Sequence, residues 1–97
     1  MPPHTTQNWT VRKPAARSRG GVVATQSRAA TEVGAAILRR GGNAIDAAVA
    51  AAFALAVAEP GNSGLGGCGF MVVHRAGAPR AEVVEFGPVS PAATDPK

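Results

Sequence analysis

The 97-residue sequence has no tyrosine, one tryptophan, three phenylalanines and a single cysteine. Each shortage excludes something. Aromatic side chains bring the most apolar area per residue, so a chain this poor in them has a thin core. The lone Cys68 rules out an internal disulfide framework and any zinc site built on cysteine pairs. His4 and His74 have no second histidine or carboxylate at ligand spacing, so no metal is expected. Residues 1–20 lack an apolar run, which excludes a secretory signal there and makes the cytoplasm the expected compartment.

Those twenty residues also lack any acid, while carrying Arg12, Lys13, Arg17 and Arg19. The remainder balances six basic against six acidic side chains, so the net charge of +4 belongs to this N-terminal stretch. Residues 1–20 are therefore expected as a flexible basic arm, either solvated tail or a binder of anionic surfaces. With Trp9 its only aromatic, nothing in the arm supports base stacking, and no nucleic-acid partner is expected.

What is abundant is small. Glycine and proline make up 20 of the 97 residues. Such a composition suits an element of a larger fold better than a finished domain. Gly21-Val22-Val23-Ala24-Thr25 is a short β-branched run and predicts a strand. Ser27 stands at a helix N-cap position, and Ala30, Val33, Ala36 and Ile37 follow in steps of three and four, an amphipathic helix. Arg39 and Arg40 suit its negative end, and Gly41-Gly42 supplies the left-handed stop.

Asn43 is a second N-cap, with Asp46 three positions on as a helix-start residue. From Ala44 to Ala58 every residue except Asp46 is apolar, and nine of these fifteen are alanine. A helix apolar on all sides must be covered on all sides. Fifteen residues reach about 22 Å, short of a membrane core of about 30 Å, so a buried central helix is expected and not a membrane span. Glu59-Pro60 ends it.

Residues 61–69 hold five glycines. Gly64, Gly66 and Gly69 formally satisfy G-x-G-x-x-G, but a helix precedes them and a strand follows, the reverse of a dinucleotide site. No lysine flanks them, so a phosphate cradle of the P-loop kind is absent as well. No cofactor is expected. Two readings stay open for Asn62, Gly64, Gly66, Gly67 and Gly69: a linker that lets backbones pack closely, or backbone N–H groups brought beside a substrate pocket. Phe70 to His74 and Arg80 to Phe86 then read as a hairpin across an Arg75–Pro79 turn. Glu82 and Glu85, three apart on a strand, face opposite sides and form no paired carboxylate site.

The runs Gly21-Val22-Val23-Ala24, then Leu38-Arg39-Arg40-Gly41-Gly42-Asn43-Ala44-Ile45-Asp46-Ala47-Ala48-Val49-Ala50, then Ser63-Gly64-Leu65-Gly66-Gly67-Cys68-Gly69-Phe70-Met71, resemble the opening of the γ-glutamyltransferase family. The resemblance runs from about Gly20 to about Thr94. It implies an α+β fragment of an α-β-β-α N-terminal-nucleophile hydrolase sandwich, in the order β-α-α-loop-β-β, with residues 21–97 as an incomplete N-terminal segment of the large subunit. It implies a self-cleaving precursor whose small subunit begins with the nucleophilic threonine, outside this chain, and transfer or hydrolysis of a γ-glutamyl amide such as glutathione. The partners implied are the rest of the precursor and a glutathione-like substrate.

The resemblance departs in two places. Cys68 stands where the family usually has glycine and is expected as a small buried side chain. Gly87 stands where the family has an arginine that holds the substrate's α-carboxylate, a task suited to a guanidinium fork. Arg75 and Arg80, near the turn, are not placed to substitute for it. A scaffold that has lost activity, or an acylase with a different acyl group, are the alternatives.

Overall fold

Residues 10–95 are described by the computed structural model, so His4, Trp9 and the first part of the arm fall outside it. The elements are α1 (Arg28–Arg39), α2 (Ala44–Ala58), β1 (Gly69–Val73) and β2 (Glu82–Phe86). The α+β class holds, with one correction at the start. Residues 21–25 form no helix and pair with no described strand, so the observed order is α-α-loop-β-β. A β-branched run sets an extended backbone, but a strand also needs a neighbour to take its N–H and C=O groups. The side chains alternate as in a strand even so. Gly21 lies against Leu38 of α1, Val23 lies against Gly34, and Thr25 bonds Thr31, while Val22 and Ala24 are exposed.

Thr25 ties this segment to the start of α1. Its hydroxyl donates to the Ser27 carbonyl at 2.6 Å and accepts from the Ser27 N–H at 3.1 Å. That uses its one proton, so in the 2.7 Å contact between Thr25 and Thr31 the Thr31 hydroxyl donates. Ser27 sits at the N-cap with extended backbone, but its own side chain makes no cap bond. At the other end Gly41 N–H bonds Leu38 O at 3.1 Å and Gly42 N–H bonds Ile37 O at 3.0 Å. This is a Schellman stop, and Gly41 takes it at φ 90°, where a side chain would be strained.

The packed face of α1 uses only part of its apolar stripe. Ala30 and Gly34 are buried against α2, whereas Val33 and Ala36 are exposed. The cause is size. A Cβ on Gly34 would lie 3.3 Å from the Ala47 carbonyl oxygen and 3.4 Å from the Ala51 Cβ. Only the smallest residues let the two helices approach this closely, so the helices meet through Ala30 and Gly34 on one side and Ala47 and Ala51 on the other.

A reciprocal capping box opens α2: Asp46 N–H bonds the Asn43 side chain at 2.8 Å, and Asn43 N–H bonds the Asp46 carboxylate at 3.0 Å. The helix then runs to Ala58, and Glu59 N–H closes it on Leu55 O at 2.8 Å. The expected all-round burial is not met by the described residues. Ala47 and Ala51 are buried, but Ile45, Val49, Phe53 and Val57, every fourth residue, form an exposed apolar ridge. No described helix is long and apolar enough to cross a membrane.

β1 and β2 pair antiparallel, with Gly69 opposite Phe86 and Val73 opposite Glu82. Gly77 turns the connection at φ 77°, and Arg75 pairs with Glu82 across it. Phe86 lays its ring over Gly69, where a Cβ would come within 2.8 Å of it. Both faces of the hairpin are apolar and open: Phe70 is 73% and Val72 71% exposed on one, and Val84 and Phe86 are about half exposed on the other. The radius of gyration, 19.0 Å, exceeds the ~13 Å of a compact domain of this length.

Candidate functional site

A groove of about 600 Å³ lies between residues 20–25 and one side of α2. Its walls are backbone and small apolar side chains, among them Ala44, Ala48, Ala52 and Leu55. Its polar side chains are Thr25, bonded to Ser27 and Thr31, and Asn43, spent in the capping box. Among the described residues no group of three or more histidine, cysteine or carboxylate side chains could hold a metal. The groove is lined mainly by small apolar side chains and by no charged residue.

Of the four described threonines, two are committed to local structure. Thr25 and Thr31 hold the entry to α1, and neither has a described histidine, lysine or amine within hydrogen-bond reach. Thr10 and Thr94 are exposed outside any helix or strand. Asp46 caps α2 and is not free to act as an acid catalyst. Glu82 and Glu85 fall on opposite faces of β2, and Glu82 is paired with Arg75.

The glycine loop lies between α2 and β1 and does not line the groove. Asn62 starts it by folding back on the helix end: its N–H bonds Glu59 O at 3.0 Å and its side-chain amide reaches the Glu59 carboxylate at 3.3 Å. Gly69 is needed, because Phe86 covers it. Gly64, Gly66 and Gly67 are different. None has a positive φ, and a Cβ on any of them would meet no described atom within 4 Å. Nothing in residues 10–95 requires glycine at these three positions. Cys68 beside them is exposed, contrary to expectation, because no described element covers the loop.

Gly87 follows β2 directly and is exposed. It too has an ordinary φ and open space around its Cα. The backbone would therefore accept a larger residue, arginine included. Arg75 is paired at the turn and Arg80 is exposed beside it, so neither lies next to Gly87 in the hairpin.

A family model for gamma-glutamyltranspeptidase matches residues 30–97. The glutathione hydrolase proenzyme of Bacillus subtilis subsp. natto is 46% identical over 78 residues, covering 80% of this chain and 13% of the relative. Among solved structures, the gamma-glutamyltranspeptidase of Pseudomonas nitroreducens superposes with a TM-score of 0.71 at 39% identity, over 82% of this chain and 23% of its own. The enzyme from Helicobacter pylori gives 0.74 at 38% identity, over 84% and 23%. The chain belongs to the gamma-glutamyltranspeptidase family, and it spans about an eighth of the length of the curated relative. The open arrangement of helix pair and hairpin is thus shared with much longer folded chains.

Proposed function

We propose that these residues form the N-terminal part of the large subunit of an enzyme that hydrolyses or transfers a γ-glutamyl, or related acyl, amide, with a threonine nucleophile supplied by another part of the precursor. The observation that carries this reading is the ordered pair of motifs inside the matched range. Gly41-Gly42-Asn43-Ala44 to Asp46 makes the Schellman stop and the capping box, and Gly64-Leu65-Gly66-Gly67 to Phe70 leads into β1. The engagement of Thr25 and Thr31 in the helix entry supports a nucleophile from outside. The chain's own contribution is scaffold: a rigid helix pair, a glycine loop and a hairpin.

Gly87 favours a second reading, an acylase in which no arginine at this position grips a substrate carboxylate. The two separate in one experiment on the full-length precursor. Turnover of glutathione is compared with turnover of a matched amide lacking the α-carboxylate, for the native protein and for Gly87→Arg. The γ-glutamyl reading expects glutathione to be consumed, and expects none to be consumed by residues 1–97 alone. Under the acylase reading the native protein prefers the amide without the carboxylate, and Gly87→Arg shifts preference toward glutathione by about tenfold or more, the scale of one charge-assisted hydrogen-bonded pair. If the intact precursor consumes neither amide, the enzymatic reading fails and the inactive scaffold replaces it.

A further inference from the structure

We propose that the arm at residues 10–20 and the C-terminal end of α1 form one basic surface that docks the protein peripherally on an anionic lipid bilayer. The inference goes beyond the enzymatic reading and does not depend on it.

The arm supplies the first part of the charge. Arg12, Lys13, Arg17 and Arg19 are all exposed, with no acid among residues 10–20. The family model begins at residue 30, so this charge lies outside the matched range. The structure adds two cations distant in sequence. Ser18 bends the arm by accepting the Gly20 N–H at 3.1 Å, and Gly21 then rests on Leu38. Ser18 and Gly20 share a groove of about 320 Å³ with Ala35, Leu38 and Arg39, so the Arg17–Arg19 stretch runs beside the last turn of α1. Arg39 and Arg40 stand exposed at that turn.

Little opposes these six cations. The described ion pairs are Arg28–Glu32 and Arg75–Glu82, so none of the six is neutralised by a described carboxylate. Glu32 is turned to Arg28 toward the other end of α1, and Glu59 closes the far end of α2. Asp46 is the acid the fold brings near, packed close to Gly42, and its carboxylate accepts the Asn43 N–H in the capping box.

The partner follows from sign and breadth. A surface charge of one sign is matched by a surface of the other, and a bilayer of anionic headgroups is wide enough to meet the arm and the helix end together. Apolar side chains lie among the charges: Val11 and Val22 are exposed, and the sequence places Trp9 two positions before Val11. Such side chains enter the interfacial layer of a bilayer, where tryptophan is favoured. A nucleic acid would instead reward several stacking platforms.

Co-sedimentation of the full-length precursor with vesicles tests this. Vesicles of phosphatidylcholine alone are compared with a phosphatidylcholine–phosphatidylglycerol mixture, and binding to a duplex and a single-stranded oligonucleotide is measured at the same salt. Binding is expected on the mixed vesicles only, falling steeply as salt rises. Arg17→Gln with Arg19→Gln should weaken it about 25-fold, at about fivefold per cation, and so should Arg39→Gln with Arg40→Gln. The same pairs changed to lysine keep the charge and should bind as the native protein does. Equal binding to neutral vesicles, or binding to neither kind, overturns the proposal. Loss in the arm pair without loss in the Arg39 and Arg40 pair overturns the joint surface. Loss in the lysine pairs equal to that in the glutamine pairs overturns the role of charge. Tighter binding to either oligonucleotide than to mixed vesicles overturns the lipid and makes nucleic acid the partner. Binding in a precursor that turns over no amide leaves this inference standing and removes the enzymatic one, and turnover without binding does the reverse.

Discussion

The helix pair and the loop with its hairpin are both apolar, yet one half meets its own needs and the other does not. In α1 and α2 the ends are closed locally, by the Schellman stop at Gly41-Gly42 and the Asn43–Asp46 box. Ala30, Ala47 and Ala51 give the pair a small dry contact of its own. β1 and β2 are held by their ladder, one ring on a glycine and one exposed ion pair, with both faces open. A two-stranded hairpin of this kind is marginal in water, whereas capped helices in close contact are nearer to self-sufficient. The lesson is that the two halves depend unequally on outside cover: local hydrogen-bond motifs close on themselves, and layer packing does not.

The strongest way to break that contrast is to melt residues 1–97 alone. A complete domain has about 5–15 kcal/mol of stability, and a chain whose only buried hydrophobic side chains among the described residues are three alanines should fall near zero. Circular dichroism should show partial helix lost over a broad range, with no shared transition for the hairpin. A steep, single, monomeric melt seen by both helix and hairpin probes would merge the two halves. Next comes the helix contact. Gly34→Val places carbon where a Cβ already lies 2.9 Å from Val23 and 3.3 Å from the Ala47 carbonyl oxygen. Overpacking of this kind costs about 1–3 kcal/mol, measured by denaturant unfolding of the precursor. No loss would mean the helices are not in close contact there. Smaller again is Asn43→Ala, which removes the side-chain acceptor for Asp46 N–H and should cost about 1 kcal/mol in the same measurement, with α2 fraying first. Asn43→Asp, which keeps an acceptor, should recover most of it.

What could be read from the sequence follows the same division. Asn43, Asp46, Gly41 and Gly42 act through neighbours a few positions away, and their roles were legible residue by residue. The bounds of α2 and the hairpin were legible for the same reason: period, cap and turn are local. The packed face of α1 was legible only in part. The apolar period named Ala30, which is buried, but also took in Val33 and Ala36, which are exposed, and left out Gly34, which the contact selects for smallness because of how near α2 comes. The strand expected at 21–25 is not found among the described residues, since pairing is a property of two segments. Gly64, Gly66 and Gly67 could be picked out by composition, and the hairpin and helix around them do not explain them.

Those three glycines carry the smallest expected effect and the sharpest test of the contrast. In residues 1–97 alone, Gly66→Ala meets open space at an ordinary φ. It should be neutral or stabilise by about 0.4–1 kcal/mol through loss of unfolded-state freedom. If the loop is a bare linker, the precursor should respond in the same small, favourable way. If a backbone or a substrate approaches the loop there, the same methyl group should lower stability, or leave stability intact and lower turnover, in the precursor only. Stability and turnover measured together therefore divide the two readings of the loop. Loss of stability marks close packing against a neighbouring segment. Loss of turnover at full stability marks backbone N–H groups that face a substrate, because a Cβ on Gly66 would then occupy space that only the reacting molecule uses.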